Sequence, residues 1–271
     1  MDFTFPISGI TAPLWLPPLA GAVVAFFSSM VGISGAFLLI PFQISVLGFT
    51  SPAASASNLV YNLVAIPGAA WRYQREGRLW WRLAWVITLG GIPGTGLGAW
   101  LRIHYLADRA AFQLFVSLIL SYLGLRLLAD LLKQTVPGEG ADHPADFSIP
   151  LMATFSFLVG ILGTIYGIGG GSFMVPLCVT VFRLPIHIVA GATLTATLLT
   201  SVAALLAYLV LPVPIWVTAQ PDWLLGLLFG LGGFIGGLLG ARCQRYIPQK
   251  ILKSLLAALL LGLAVRYLVG G

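Results

Sequence analysis

Residues 31–41 read V-G-I-S-G-A-F-L-L-I-P, and residues 166–176 read Y-G-I-G-G-G-S-F-M-V-P. Gly32, Ile33, Gly35 and Pro41 return 135 positions later as Gly167, Ile168, Gly170 and Pro176. Each copy sits inside a long apolar stretch, from about 15 to 49 in one case and from 149 to 182 in the other. Glycines there would break a helix within a bilayer, where irregular backbone is tolerated only if it is buried in protein or lines a cavity.

The surrounding composition makes the bilayer the expected solvent. Of 271 residues 59% are hydrophobic and only 8% charged, with a mean hydropathy of +0.99. A soluble domain carries about 25% charged residues. Apolar runs long enough to cross hydrocarbon about 30 Å thick fill nearly the whole chain. The alternating segments of about ten residues that mark a transmembrane barrel are absent. The expected class is an all-α, polytopic integral membrane protein in the cell (inner) membrane. The opening MDFTFPISGITAP has no basic region ahead of its apolar part, so no cleavable signal peptide is expected. Cys178 and Cys243 are isolated and suggest neither a disulfide framework nor a metal site.

Punctuation divides the chain into two similar halves. The first repeat (1–132) holds the hairpin-like stretch at about 15–49 and helices at 52–73, 80–102 and 109–132. A polar linker follows at 133–147. The second repeat (148–271) holds the stretch 149–182 and helices at 186–211, 222–243 and 249–269. Ser51-Pro52 and Leu184-Pro185 place proline at helix starts, and Asp108 is suited to cap the helix after it. Gly90, Gly94 and Gly98 match Gly232, Gly236 and Gly240 at an offset of 142. Such small-residue ladders let membrane helices approach closely, so these six glycines read as scaffold.

Charge orients the halves. The loop with Arg72, Arg75, Arg78 and Arg82 has as its counterpart Leu211–Pro221, without Lys or Arg. The next loop reverses the bias: Arg102 and Arg109 against Arg242, Arg245, Lys250 and Lys253. Short cytoplasmic loops carry the excess of Lys and Arg, so equivalent loops are expected on opposite sides and the repeats inverted. Each half must then cross an odd number of times, which makes each glycine stretch a hairpin, either fully spanning or re-entrant. Both termini are expected outside and the linker in the cytoplasm. The net charge of +6 concerns this orientation and not nucleic acid.

The tips carry the candidate chemistry. Gly169, Gly170, Gly171 and Ser172, with Ser34 and Gly35, expose backbone N–H groups that no bulky side chain blocks, and such groups bind anions. Asn58 and Asn62 lie one helical turn apart, and Thr193 and Thr197 occupy the same places 135 residues on, with Thr195 and Thr200 nearby. These polar turns are expected to complete a site beside the tips. Buried Asn also serves simply to bond neighbouring helices. Gln43, Tyr61 and Tyr166, with Ser28 and Ser29, are weaker candidates. All eight acidic residues fall in predicted loops or near segment ends, whereas a cation carrier keeps a carboxylate within the membrane. A small anion therefore fits better. No metal ligand set, cofactor motif or nucleotide-binding motif is present, so neither cofactor nor ATP-driven transport is expected. His187, Arg126 and Arg266 read as polar groups near helix ends.

Gly32-Ile33-Ser34-Gly35 also matches the tetrapeptide around the nucleophile of rhomboid intramembrane proteases. That reading needs a histidine base within the membrane, and the three histidines sit at segment ends or in a loop. An intramembrane serine protease is thus a remote alternative.

The paired G-I-S-G-A…P and G-I-G-G-G-S…P stretches are each followed by a small or polar helix start (Ala56-Ser57-Asn58-Leu59 and Gly191-Ala192-Thr193-Leu194). In these features, and in length, polar centre and glycine-rich third helices, the chain resembles the TauE/SafE family of sulfite-exporter-type permeases. The first tip departs from the fuller glycine run at Ser34 and Ala36. The resemblance implies a transporter, not an enzyme, for a small anion such as sulfite or an organosulfonate. Alternating access between inverted halves is the expected mechanism. A carrier or channel for another small anion such as a carboxylate, or a non-transporting scaffold, is the alternative. Expected partners are the anion and the lipid bilayer, with homo-oligomer formation left open.

Overall fold

The computed structural model describes residues 2–31, 34–77, 79–133, 147–184, 186–243 and 249–269. Gly32 and Ile33 of the first motif, Arg78, linker residues 134–146, Pro185 and Arg245 lie outside these, as do the side chains of His187, Lys250 and Lys253. The chain is a helical membrane protein. After a short hairpin of β1 (Asp2–Thr4) and β2 (Thr11–Pro13) come α1 (Leu16–Val31), α2 (Ala36–Val46), α3 (Pro52–Ala65), α4 (Pro67–Arg75), α5 (Trp81–His104) and α6 (Arg109–Lys133). The rest of the chain forms α7 (Ile149–Tyr166), α8 (Met174–Thr180), α9 (Ile186–Val210), α10 (Trp223–Cys243) and α11 (Gln249–Val269). Among the described residues four helices are long and apolar enough to cross a membrane, within α6, α7, α9 and α10.

Three expectations change. The all-α reading missed the hairpin, which pairs Asp2 with Pro13 and Thr4 with Thr11. Phe5 N–H donates to Ile10 O at 2.8 Å, and the buried Phe5 ring anchors the turn. Second, the helix expected over 52–73 breaks at Ile66. Pro67 has no N–H to give and its ring crowds the preceding turn, so it starts a new helix instead. Third, the return arms are short. With a rise of about 1.5 Å per residue, the 11 residues of α2 and 7 of α8 reach about half and one third of the hydrocarbon thickness. Their tips end within the protein.

Helix starts follow the local chemistry. Pro52 opens α3 after Ser51 in extended conformation. Asp108 Oδ2 accepts from Ala110 N at 2.9 Å and Ala111 N at 3.2 Å, as an N-cap carboxylate does.

Packing is reciprocal. α1 lies along α10 and α7 along α5, α3 also meets α10 while α9 meets α5, and α6 pairs with α11. The glycine ladders make the long contacts. A β-carbon at Gly90, Gly94 or Gly98 would strike the backbone of Ala153, Phe157 or Ile161 respectively. One at Gly232, Gly236 or Gly240 would strike Pro18, Ala22 or Phe26. These two sets of targets are themselves 135 positions apart, so each half lays its broken stretch on the other half's ladder.

The connections sort to two ends. Ser8 N–H and Oγ donate to Asp222 Oδ2 at 3.0 and 2.9 Å, and Ala53 N–H donates to Thr218 O at 3.0 Å. The segments before α1 and after α2 thus both reach the 211–222 loop. A cavity of about 460 Å³ at that end is lined by His104, Asp108, Trp216 and Thr218, among others. α7 begins instead beside the start of α5, where Phe147 packs edge-on to Trp80 with ring centroids 5.4 Å apart.

Candidate functional site

The second tip is built by two glycines in left-handed conformation. Gly167 closes α7 at φ +88° and Gly169 follows at φ +74°, a region that L side chains avoid. Gly167 N–H and Ile168 N–H both return to Gly163 O, at 2.9 and 2.8 Å, which ends the helix as a left-handed cap does. The chain then runs flush along α9. Gly170 N–H donates to Thr200 Oγ1 at 3.0 Å. A β-carbon at Gly169 would lie 2.6 Å from Ser201 Oγ, and one at Gly171 would collide with Thr193 O and Thr197. Ser172 Oγ lies 3.4 Å from Thr197 Oγ1. Gly169, Gly171 and Ser172 donate their own N–H groups to no acceptor among the described residues, although both glycines are buried.

The first tip is tighter. Ala36 N–H approaches Ser34 Oγ at 3.4 Å, and Gly35 O accepts from Leu38 and Leu39 at 3.1 and 3.2 Å. Ser34 Oγ therefore meets the amide of its own turn. Tyr61, buried, lies over Gly35, where a β-carbon would strike its hydroxyl.

α3 joins the tips. Asn58 Nδ2 donates to Ala36 O at 3.0 Å, just past the first tip. Asn62 Nδ2 donates to Ser201 Oγ at 3.1 Å, beneath the second. The tips also touch directly: Tyr166 Oη donates to Phe37 O at 2.8 Å, and the Phe37 and Phe173 rings meet edge-on at 5.0 Å. Ser34, Gly35, Asn58, Asn62, Tyr61, Tyr166, Gly169–Ser172, Thr193 and Thr197 thus form one connected neighbourhood. Aromatic rings, not open space, occupy the contact between the tips. Thr193 and Thr197 are partly turned inward on their own helix, with Oγ1 donating to Val189 O and Thr193 O, each at 2.8 Å.

Several buried polar side-chain atoms have no partner among the described residues: Asn58 Oδ1, Asn62 Oδ1 and Thr164 Oγ1, and, without a contact that ties them to the tips, Ser28 Oγ and both polar atoms of Gln43. Such groups cost about 1–3 kcal/mol each when desolvated and unpaired. Asn58 has committed its donor to a carbonyl, so its free atom is an acceptor. The neighbourhood offers amide donors at the second tip and amide acceptors on α3.

Three buried polar residues escaped the sequence reading. Ser201 joins Asn62 to the second tip; its only signal was its place one turn after Thr197. Arg102, counted among loop charges, is fully buried. Its Nε donates to Ser55 Oγ at 3.2 Å, one Nη to Thr50 O at 2.5 Å and the other to Leu106 O. Asp222, assigned to a loop, is also buried and caps α10 through Leu225 N at 3.2 Å.

Comparison with known proteins fits this architecture. A "Probable membrane transporter protein" of Xylella fastidiosa (strain Temecula1 / ATCC 700964) is 30% identical over 234 residues, covering 82% of this chain and 81% of its own. A namesake from Xylella fastidiosa (strain 9a5c) is 28% identical over 229 residues, with the same coverage. "Probable membrane transporter protein YunE" of Bacillus subtilis (strain 168) is 20% identical over 258 residues, covering 89% and 92%. No solved structure matches the chain at comparable stringency. The family described as "Sulfite exporter TauE/SafE" matches residues 18–267, and with nearly the whole chain covered, this multi-pass membrane protein belongs to that family.

Proposed function

We propose that the chain is a secondary transporter that exports a small oxyanion, sulfite or an organosulfonate, by alternating access. The observation that carries this reading is the set of amides at Gly169, Gly171 and Ser172 with no acceptor among the described residues, the two glycines buried and Ser172 half-buried, in a helical membrane protein. Backbone N–H groups are the usual anion ligands where no cationic side chain is present. Asn58 Oδ1 and Asn62 Oδ1 would accept from a hydroxyl, as on a singly protonated oxyanion.

Two inverted repeats around these tips are the moving parts in this reading. Supporting it, α1 starts beside the 211–222 loop while α7 starts beside Trp80, at the other end of α5. The reciprocal ladder contacts also relate the halves by one exchange. Burial of Arg102 leaves Arg109 as the exposed basic residue of its loop, which sharpens the charge asymmetry. The Arg72–Arg82 end is then cytoplasmic, with both termini outside and the inner membrane as the location. Flux into proteoliposomes, measured for sulfite, methanesulfonate, taurine and acetate, tests the reading. Saturable sulfite or sulfonate flux supports it, acetate flux alone favours a carboxylate carrier, and no flux of any overturns it.

A further inference from the structure

Arg102 is a full positive charge buried at the end of α5, and no described carboxylate lies within ion-pair distance of it. A buried charge without a counter-charge is costly. Three of its N–H groups are held by Ser55 Oγ, Thr50 O and Leu106 O, and its guanidinium carbon sits 3.5 Å from the Phe112 ring centroid. A guanidinium has five N–H donors, so two remain. Two of the three acceptors belong to connections that flank α3 and α5. Ser51 and Pro52, next to Thr50, and His104 and Tyr105, next to Leu106, line the 460 Å³ cavity at this end. On the inner side, Ser55 Oγ donates to Ile165 O at 2.8 Å, and Gly167 packs against the Ser55 backbone. Arg102 therefore stands between the cavity and the second tip.

We infer that Arg102 is an anion-binding residue of the transport path, taking an oxyanion between the cavity bounded by His104 and the second glycine tip; this rests on the transporter reading above. The neutral tips hold an anion by dipoles alone, and Arg102 supplies the charge they lack. Its planar fork matches two oxygens of a sulfur oxyanion in a way a lysine ammonium does not. When the Thr50 and Leu106 segments part, the freed donors face the cavity. The phenyl ring of Phe112 keeps the guanidinium plane in place from behind.

The experiment uses purified full-length protein and sulfite as the probe. In proteoliposomes of sorted orientation, KM is measured with sulfite offered from each face in turn. Arg102→Gln is expected to raise KM about tenfold or more at the face bearing the His104 cavity, the loss of one charge-assisted bond, and to leave the opposite KM unchanged. Arg102→Lys is expected to recover part of that loss. An equal fall in rate from both faces with both KM values unchanged identifies a structural latch and overturns the inference. Should Arg102→Gln fail to fold, phenylglyoxal labelling of Arg102 in the native chain decides. Slower labelling in methanesulfonate, which unlike sulfite forms no adduct with the aldehyde of phenylglyoxal, than in equimolar chloride supports the inference, and equal rates overturn it. Absence of flux in the native chain would count against the transporter reading instead, and the labelling comparison separates the two.

Discussion

Gly94 lies against the carbonyl oxygen of Phe157, so close that a β-carbon at Gly94 would overlap it. Gly236 holds the same relation to Ala22 O. One helix from each half is thus locked to the broken stretch of the other, by backbone contact where lipid offers no hydrophobic drive.

Gly94→Ala should destabilise the protein by about 1–3 kcal/mol, the usual cost of overpacking. Gly96, on the same helix, has open space at its β-position, and Gly96→Ala should be neutral or stabilising by up to about 1 kcal/mol. Thermal unfolding in detergent checks the pair. Equal effects would contradict the ladder contact.

At the second tip, the β-position of Gly170 is roomier than those of its neighbours, with Gly160 Cα at 3.1 Å and Thr200 Cγ2 at 3.6 Å. Gly170→Ala should keep the fold and lose most anion flux, because the methyl group enters the space beside the unpaired amides. Gly171→Ala, which meets Thr193 O and Thr197, should lose stability as well. Flux and unfolding temperature measured together distinguish these outcomes.

Asn58→Leu removes the bond to Ala36 O and the unpaired acceptor together. It should raise KM for sulfite about tenfold or more, as loss of a ligand bond does. Gly96→Ala serves as the neutral control. An unchanged KM would remove Asn58 from the site.

Cysteine labelling checks the orientation in a chain with Cys178 and Cys243 replaced by alanine. Ile215, fully exposed, and Gln74, also exposed, report the two ends. An impermeant maleimide applied outside should label Ile215→Cys at once and Gln74→Cys only after permeabilisation. Labelling of both from one side would end the inverted-repeat reading.

The sequence alone determined the solvent, the recurrence of the glycine motif and the helix faces built for close contact. A charged fraction of 8% cannot cover a soluble surface, and glycines four apart return on one helical face whatever the tertiary context. The recurring tip glycines were legible for the same local reason: Gly167 and Gly169 need backbone angles that other residues resist. Pro67 carried a local signal of the same kind, a missing N–H that favours a helix start, but Pro41 and Pro93 sit inside α2 and α5, so proline alone did not mark the break in the helix expected over 52–73. Tertiary structure alone decided the partners. Nothing in the spacing of Asn62 and Ser201 announces a bond across 139 positions, nor that Gly94 meets the other half's arm and not its own. Arg102 shows why. A basic residue near a helix end is drawn to water or headgroups by default, and only the converging carbonyls of Thr50 and Leu106, with Ser55 and Phe112, make its burial bearable.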